Sequence, residues 1–460
     1  MVYRMYAPVA VKDYQKTAAL LHFYKKIYAI IGAVIFGLGL CVIPFMDYII
    51  KDKPDVSGLT LYYILFLINT TISYWFASYK ASVLYADQKE YIKTNAQNAT
   101  AILQSVLQIV LLLIFRKYLL YLLVQLAGNI FLNLYVAHLV DKRYPEIQTY
   151  QGASLSAEER VQIRKDTEAL VLSRFGHVAL NGTDNIIISA VVGVLWVGRL
   201  SNYTLICDSV TSVLCQITAA ITGSLGNFFA TEEKRAGYAL FQRVEFVKFW
   251  FYGFSFIALV LLLDPFVQLW AGSRFVLGLP VSLAIAINFF VAGYMNTLWV
   301  FRSTLGLFKQ GKFRPILVAA VNIVLSIVLG KYWGVFGVLI ATFLSRASIS
   351  LWYDPLILHK YGFGVSSKPF FVRYAKRIIL LAVVLVIMLS IRKAVLFAGT
   401  TIPKFLLMMV ITAIIPNTVF WLVYHHSDEY TYFQSIIKDR VLAPIQRKLH
   451  KCSTTSTPDR

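Results

Sequence analysis

Apolar residues run through this chain in long blocks, and polar residues collect at the block ends instead of alternating within them. Twelve blocks stand out, at 27–50, 59–79, 99–115, 119–140, 175–197, 203–230, 246–270, 276–300, 316–329, 334–352, 378–391 and 405–424. Crossing a hydrocarbon layer of about 30 Å takes about 20 helical residues. A helix is also the one open segment that satisfies its own backbone hydrogen bonds in lipid. The pattern predicts an all-α, polytopic membrane protein with about twelve transmembrane helices.

The block at 175–197 departs from the rest, because Asn181, Asp184 and Asn185 sit near its middle. A carboxylate at that depth costs a few kcal/mol on insertion scales (~3) and usually faces a bundle interior or a watery cavity. Asn181 and Asn185 share a face by their four-residue spacing, with Asp184 beside them. Other polar side chains are stranded in the same way: Asp208 and Gln216 on the sixth block, Asn288 and Asn296 on the eighth, Asn322 on the ninth and Arg346 on the tenth. Together they are expected to line a polar cavity. The bland alternative for the asparagines is hydrogen bonding between helices, and for Arg346 it is snorkelling to the membrane surface.

Composition agrees with the pattern: 58% of the 460 residues are hydrophobic and only 15% are charged. The net charge of +21 belongs to short connections and does not call for nucleic acid. With Lys248 counted in the connection before the seventh block, the amino-terminal segment, every second connection and the carboxyl-terminal tail hold 33 Lys and Arg, against 10 in the alternate connections. The positive-inside rule then places both termini in the cytoplasm. Cys41, Cys207, Cys215 and Cys452 have no metal-ligand or disulfide spacing, the start does not read as a signal peptide, and the histidines form no ligand pattern. No connection is long enough for a catalytic domain, so a non-enzyme is expected. The longest, 141–174, carries SAEERVQIRKDTEALVLSR, which reads as a capped surface helix. The tail from 425 mixes aromatic, aliphatic and basic residues, fit either to lie on the inner leaflet or to be solvated.

The chain also matches itself. Residues 102–119 align without gaps on 316–333, and Tyr79-Lys80-Ala81-Ser82-Val83 matches Phe301-Arg302-Ser303-Thr304-Leu305. The second match agrees at polar positions, which apolar composition alone does not explain. Both copies have the same orientation, so the repeats are parallel, as in transporter halves related by an axis along the membrane normal. The expected organisation is an incomplete four-helix amino-terminal lobe (1–140), a cytoplasmic connector (141–174), a six-helix carboxyl-terminal lobe (175–352), two additional helices (353–424) and a cytoplasmic tail (425–460). Counterparts of the fifth and sixth helices would fall ahead of residue 1, so the first lobe is expected to lack two helices.

The runs FGHVALNGTDNIIIS, SNYTLICDSV, STLGLFKQGKFRP and PLILHKYGFG, with the opening APVAVKDYQKTAALLHFYKKIY, resemble the bacterial polysaccharide flippases. These export O-antigen, capsule and teichoic-acid-type lipid-linked oligosaccharides within the multidrug/oligosaccharidyl-lipid/polysaccharide exporter superfamily. The resemblance implies two six-helix lobes plus two further helices, of which this chain would supply the third to the fourteenth. It implies a polyprenyl-pyrophosphate-linked oligosaccharide moved from the cytoplasmic to the outer leaflet by alternating access, in a bacterial cytoplasmic membrane. No cofactor is expected. The implied partners are the lipid-linked substrate, membrane lipids, a coupling cation (Na+ or H+) and a polysaccharide polymerase. Under this reading Asn181, Asp184, Asn185, Asp208, Gln216, Asn296, Asn322 and Arg346 line the substrate cavity, with Arg346 on the pyrophosphate. Arg302, Lys309, Lys312 and Arg314, in the loop RSTLGLFKQGKFR, capture the headgroup at the cytoplasmic face, or serve only as a topology signal. The alternatives are a small-molecule or drug:cation antiporter on the same fold, a flippase left inactive by the missing helices, and a membrane enzyme of the same pathway.

Overall fold

A computed structural model describes residues 2–46, 58–76, 78–150, 153–159, 182–222, 234–307, 313–397 and 399–437, with positions 50, 161, 163 and 229. The described residues are predominantly helical, with no strand among them. They fall into two compact units, 1–174 and 175–460.

In the first unit, α1 (Tyr14–Val42) starts where the Asp13 carboxylate accepts from Lys16 N at 2.9 Å, a side-chain cap for an orphan amide. It is followed by α2 (Leu59–Trp75), α3 (Glu90–Phe115) and α4 (Tyr118–Arg143). Met5, Leu20, Tyr24, Val83, Leu84, Val136 and Val140 form a buried core. It ties the amino-terminal segment and a short helix, Ala81–Ala86, to α1 and α4. Elsewhere apolar side chains face outward, as Ile102, Leu103, Ile109, Leu113 and Ile114 do on α3. That arrangement suits lipid and not water. The few polar groups turned inward are paired, Asn129 donating to Asn69 at 2.7 Å and Gln108 to the Tyr121 carbonyl at 3.1 Å. Of the segment 156–174 read as a connector helix, 156–159, 161 and 163 are described and the rest lies outside the described residues; there Ser156 Oγ accepts from Glu159 N at 3.1 Å and Glu159 accepts from Ser156 N at 3.2 Å. Lys16 then pairs with Glu159 at 2.9 Å.

The second unit holds α5 (Gly182–Val192), α6 (Val194–Thr222), α7 (Lys234–Trp270) and α8 (Leu279–Thr304). A long element, Arg314–Ile357, follows, then α11 (Lys368–Val395), α12 (Ile402–Tyr424) and α13 (Asp428–Ile437). The long element is two helices. A straight helix would hold Asn322 and Thr342 about 30 Å apart, yet Asn322 Nδ2 donates to Thr342 Oγ1 at 3.0 Å. The reversal is at Gly334, whose φ of 60° and ψ of −139° are open to glycine and strained for other residues. Its arms, 314–333 and 335–357, are α9 and α10, antiparallel as the ninth and tenth blocks require.

Eight described segments are long and apolar enough to cross a membrane, with the α9–α10 element counted once, and nine if α2 and the bent continuation Ser78–Ala86 make one span. This is a multi-pass membrane protein. Several helix ends differ from the sequence reading, and the cause is shared. Charged residues taken for loop lie inside helices because they find partners. The Glu245 carboxylate of α7 pairs with Arg377 of α11 and accepts from Tyr294 OH at 3.1 Å. Lower on α7, Asp264 accepts from Tyr203 OH (2.7 Å) and Ser282 Oγ (2.8 Å), with Arg392 of α11 at 3.8 Å. The fifth block ends early as well. A π-turn over Ile188–Val192 is closed by Gly193 N on the Ile188 carbonyl at 2.8 Å, and the next helix begins at Val194. The first turns of the tail form α13 and pack on α7, with the Tyr430 ring 5.7 Å from that of Trp250.

Candidate functional site

The second unit holds a half-open cavity of about 380 Å³ where α5, α6, α7, α8 and α10 converge, its wall mixing polar groups with Leu200, Ile285, Phe289 and Leu339. Asp184, Asp208, Asn288, Asn296, Thr342 and Arg346 lie on its wall. One close approach shapes it: a Cβ on Gly293 of α8 would fall 2.0 Å from the Tyr252 ring of α7, so only glycine lets that ring lie against the helix.

Asp184 is held by a relay that the helix reversal makes possible. Asn322 of α9 is fully buried and donates to Thr342 Oγ1 of α10, which itself donates to Asp184 Oδ2 at 2.8 Å. Arg346, one helical turn beyond Thr342, interacts electrostatically with Asp184. Three of the residues singled out from sequence on α5, α9 and α10 therefore come together, Asn322 by way of Thr342, the link that sequence reasoning missed. Asn288 serves packing as well as the wall, donating to the Leu339 carbonyl at 2.8 Å.

Asp208 and Asn296 border the cavity. Asn322 stands behind the wall and acts through Thr342. Asn185 and Gln216 are exposed and lie outside the lining. Asn181, Lys309 and Lys312 lie outside the described residues. The two described arginines of the expected capture loop call for a correction. Arg302 belongs to α8 and is only 4% exposed, and Arg314 opens α9; both pair with the buried Asp354 of α10. Arg302 also donates to the Leu307 carbonyl at 3.2 Å. They bind three helix ends together, so an arriving anion would have to displace a carboxylate. Lys248 is the opposite case: assigned to a connection by sequence, it is 3% exposed within α7 and donates to Asn296 Oδ1 at 2.8 Å.

Beside the polar cavity is an apolar one of about 320 Å³, lined by Ile206 and Val210 of α6, Phe254 and Leu262 of α7, and Phe405 and Met409 of α12. Helix α6 is the partition between them. Thr204, Asp208, Thr211 and Cys215 recur at helical spacing on the polar side, while Ile206 and Val210 occupy the other face.

A solved structure titled "Lipid II flippase MurJ, inward closed conformation" superposes with a TM-score of 0.59 over 92% of this chain and 88% of that one. The chain has the fold of MurJ. The two sequences are 15% identical, so the likeness to MurJ is one of architecture. No family profile matches the chain, and neither does any curated protein sequence.

Proposed function

We propose that this chain is a flippase that moves a polyprenyl-pyrophosphate-linked oligosaccharide from the cytoplasmic to the outer leaflet, by alternating access, in cell-surface polysaccharide biosynthesis. The observation that carries this reading is the partition made by α6. A polar cavity and an apolar groove on opposite faces of one helix suit an amphiphile whose head and tail need different surroundings. Bare transfer of a charged sugar head through hydrocarbon is prohibitive, because each unpaired polar group costs roughly 2–7 kcal/mol. Hydroxyl, amide and guanidinium groups on the cavity wall replace the lost water, and the tail stays in lipid along the groove. Asp184, Asp208, Asn296 and Arg346 are the proposed contacts, with Arg346 on the pyrophosphate. Asn322 acts by holding Thr342. The setting is a bacterial cytoplasmic membrane with both termini cytoplasmic, and a coupling cation and a polymerase are the proposed partners.

Two cavity carboxylates, Asp184 and Asp208, are what would favour a drug:cation antiporter. The readings separate experimentally. With Arg346→Ala at normal protein levels, export of lipid-linked repeat units falls at least tenfold and the units accumulate on the inner leaflet. Unchanged export, together with proton-dependent efflux of a cationic dye that Asp184→Asn abolishes, would establish the antiporter instead.

A further inference from the structure

Lys248 has three N–H donors and no acceptor. Among the described residues its ammonium is in no ion pair, and its hydrogen bond goes to the Asn296 side chain at 2.8 Å. A buried ammonium without a carboxylate is costly, so its placement needs a reason. Its chemistry fixes the neighbouring amide, because only the oxygen of Asn296 can face an ammonium. The Asn296 Nδ2 is therefore the end turned away from Lys248, and Asn296 lines the polar cavity. Gly293, one turn earlier on α8, and Cys215 and Tyr252 of the facing helices border the same space.

We infer that Lys248 is a positioning residue that locks Asn296 with its amide N–H donors toward the cavity, making a cation-polarised contact for an oxyanion on the cargo. This rests on the flippase reading and adds to it a contact on α7 and α8, beside the Asp184 and Arg346 contacts of the same cavity. The positive charge stays one layer behind the surface and acts through the amide. The cargo can then be gripped by a donor that releases more readily than a bare ammonium. The oxyanion belongs either to a phosphate or to an acidic sugar.

The test uses the full chain in detergent micelles, with inorganic pyrophosphate and glucuronate as separate calorimetric titrants. Lys248→Met is expected to weaken binding of one titrant roughly tenfold, as loss of one charge-assisted hydrogen bond does, and Lys248→Arg to restore it to within about threefold. Asn296→Asp keeps the lysine paired but presents acceptors to the cavity, so it is expected to weaken binding at least as much without lowering the melting temperature. That variant decides the matter where Lys248→Met fails to fold. The titrant affected identifies the oxyanion as phosphate or sugar carboxylate. If Asn296→Asp and Lys248→Met bind as the parent does while Arg346→Ala does not, the positioning role is overturned and the flippase reading stands. If the parent binds neither titrant, the flippase reading falls too.

Discussion

At the scale of single residues, the cavity is organised by groups that act in pairs. Thr342 links the buried Asn322 amide to Asp184, so removing its hydroxyl takes an acceptor from the one and a donor from the other. Thr342→Val is expected to destabilise the protein by about 1–3 kcal/mol through unsatisfied buried groups and to lower transport with it, whereas Thr342→Ser retains both. Thermal unfolding and inner-leaflet accumulation measure the two effects. Asp184, Asn322 and Arg346 were legible because a polar residue in an apolar block is conspicuous wherever its partners lie. Thr342 was not legible, since threonines are common in membrane helices and nothing in 20 residues of intervening sequence announces the contact. Lys248 was counted with the charges ahead of the seventh block, though it falls just inside it, because it stands near Glu245 and Arg243 and its partner on another helix cannot be seen in the sequence.

At the scale of elements, block positions were readable and block ends were not. Hydrocarbon thickness dictates the blocks. The ends depend on tertiary partners such as Arg377, which extends α11 by pairing with Glu245. Breaking that pair by Arg377→Met leaves a buried carboxylate and is expected to cost about 3–5 kcal/mol, with Glu245→Gln added in the same chain recovering most of the loss in a denaturant or thermal series. Gly334→Ala is expected to cost about 1–3 kcal/mol from backbone strain at the reversal, measured in the same way. The internal match also acquires a second signature. Lys80 of the first unit pairs with Asp141, and Arg302, its counterpart in the alignment, pairs with Asp354. A cation at or just past the end of the second repeat helix thus meets a carboxylate near the end of the fourth in both copies, which apolar similarity cannot mimic.

At the scale of the whole molecule, each unit has its own core and its own surface chemistry. In the first, the Lys16 ammonium and the Ser156 amide hold the Glu159 carboxyl below its ordinary value of 4.5. The contact therefore adds stability above the normal glutamate range and loses it as pH falls through the lowered value. A carboxyl NMR titration should place the Glu159 midpoint below 4.5 in the parent and return it toward 4.5 in Lys16→Met. Orientation is testable on either side of the eleventh block: a cysteine at Lys393, near the end of α11, should react with impermeant maleimide from outside the cell, and one at Lys360, ahead of α11, only from within. In the second unit, α11 is riveted to α7 near both ends of its membrane-spanning length, at Glu245–Arg377 and at Asp264–Arg392. The Trp250 indole adds a third rivet, donating to Asn417 of α12 at 2.9 Å. The helices that wall the apolar pocket and the cavity beside it are thus pinned to one another, and under the proposed flippase reading the head and the tail of one cargo molecule would rest against a single cross-linked block.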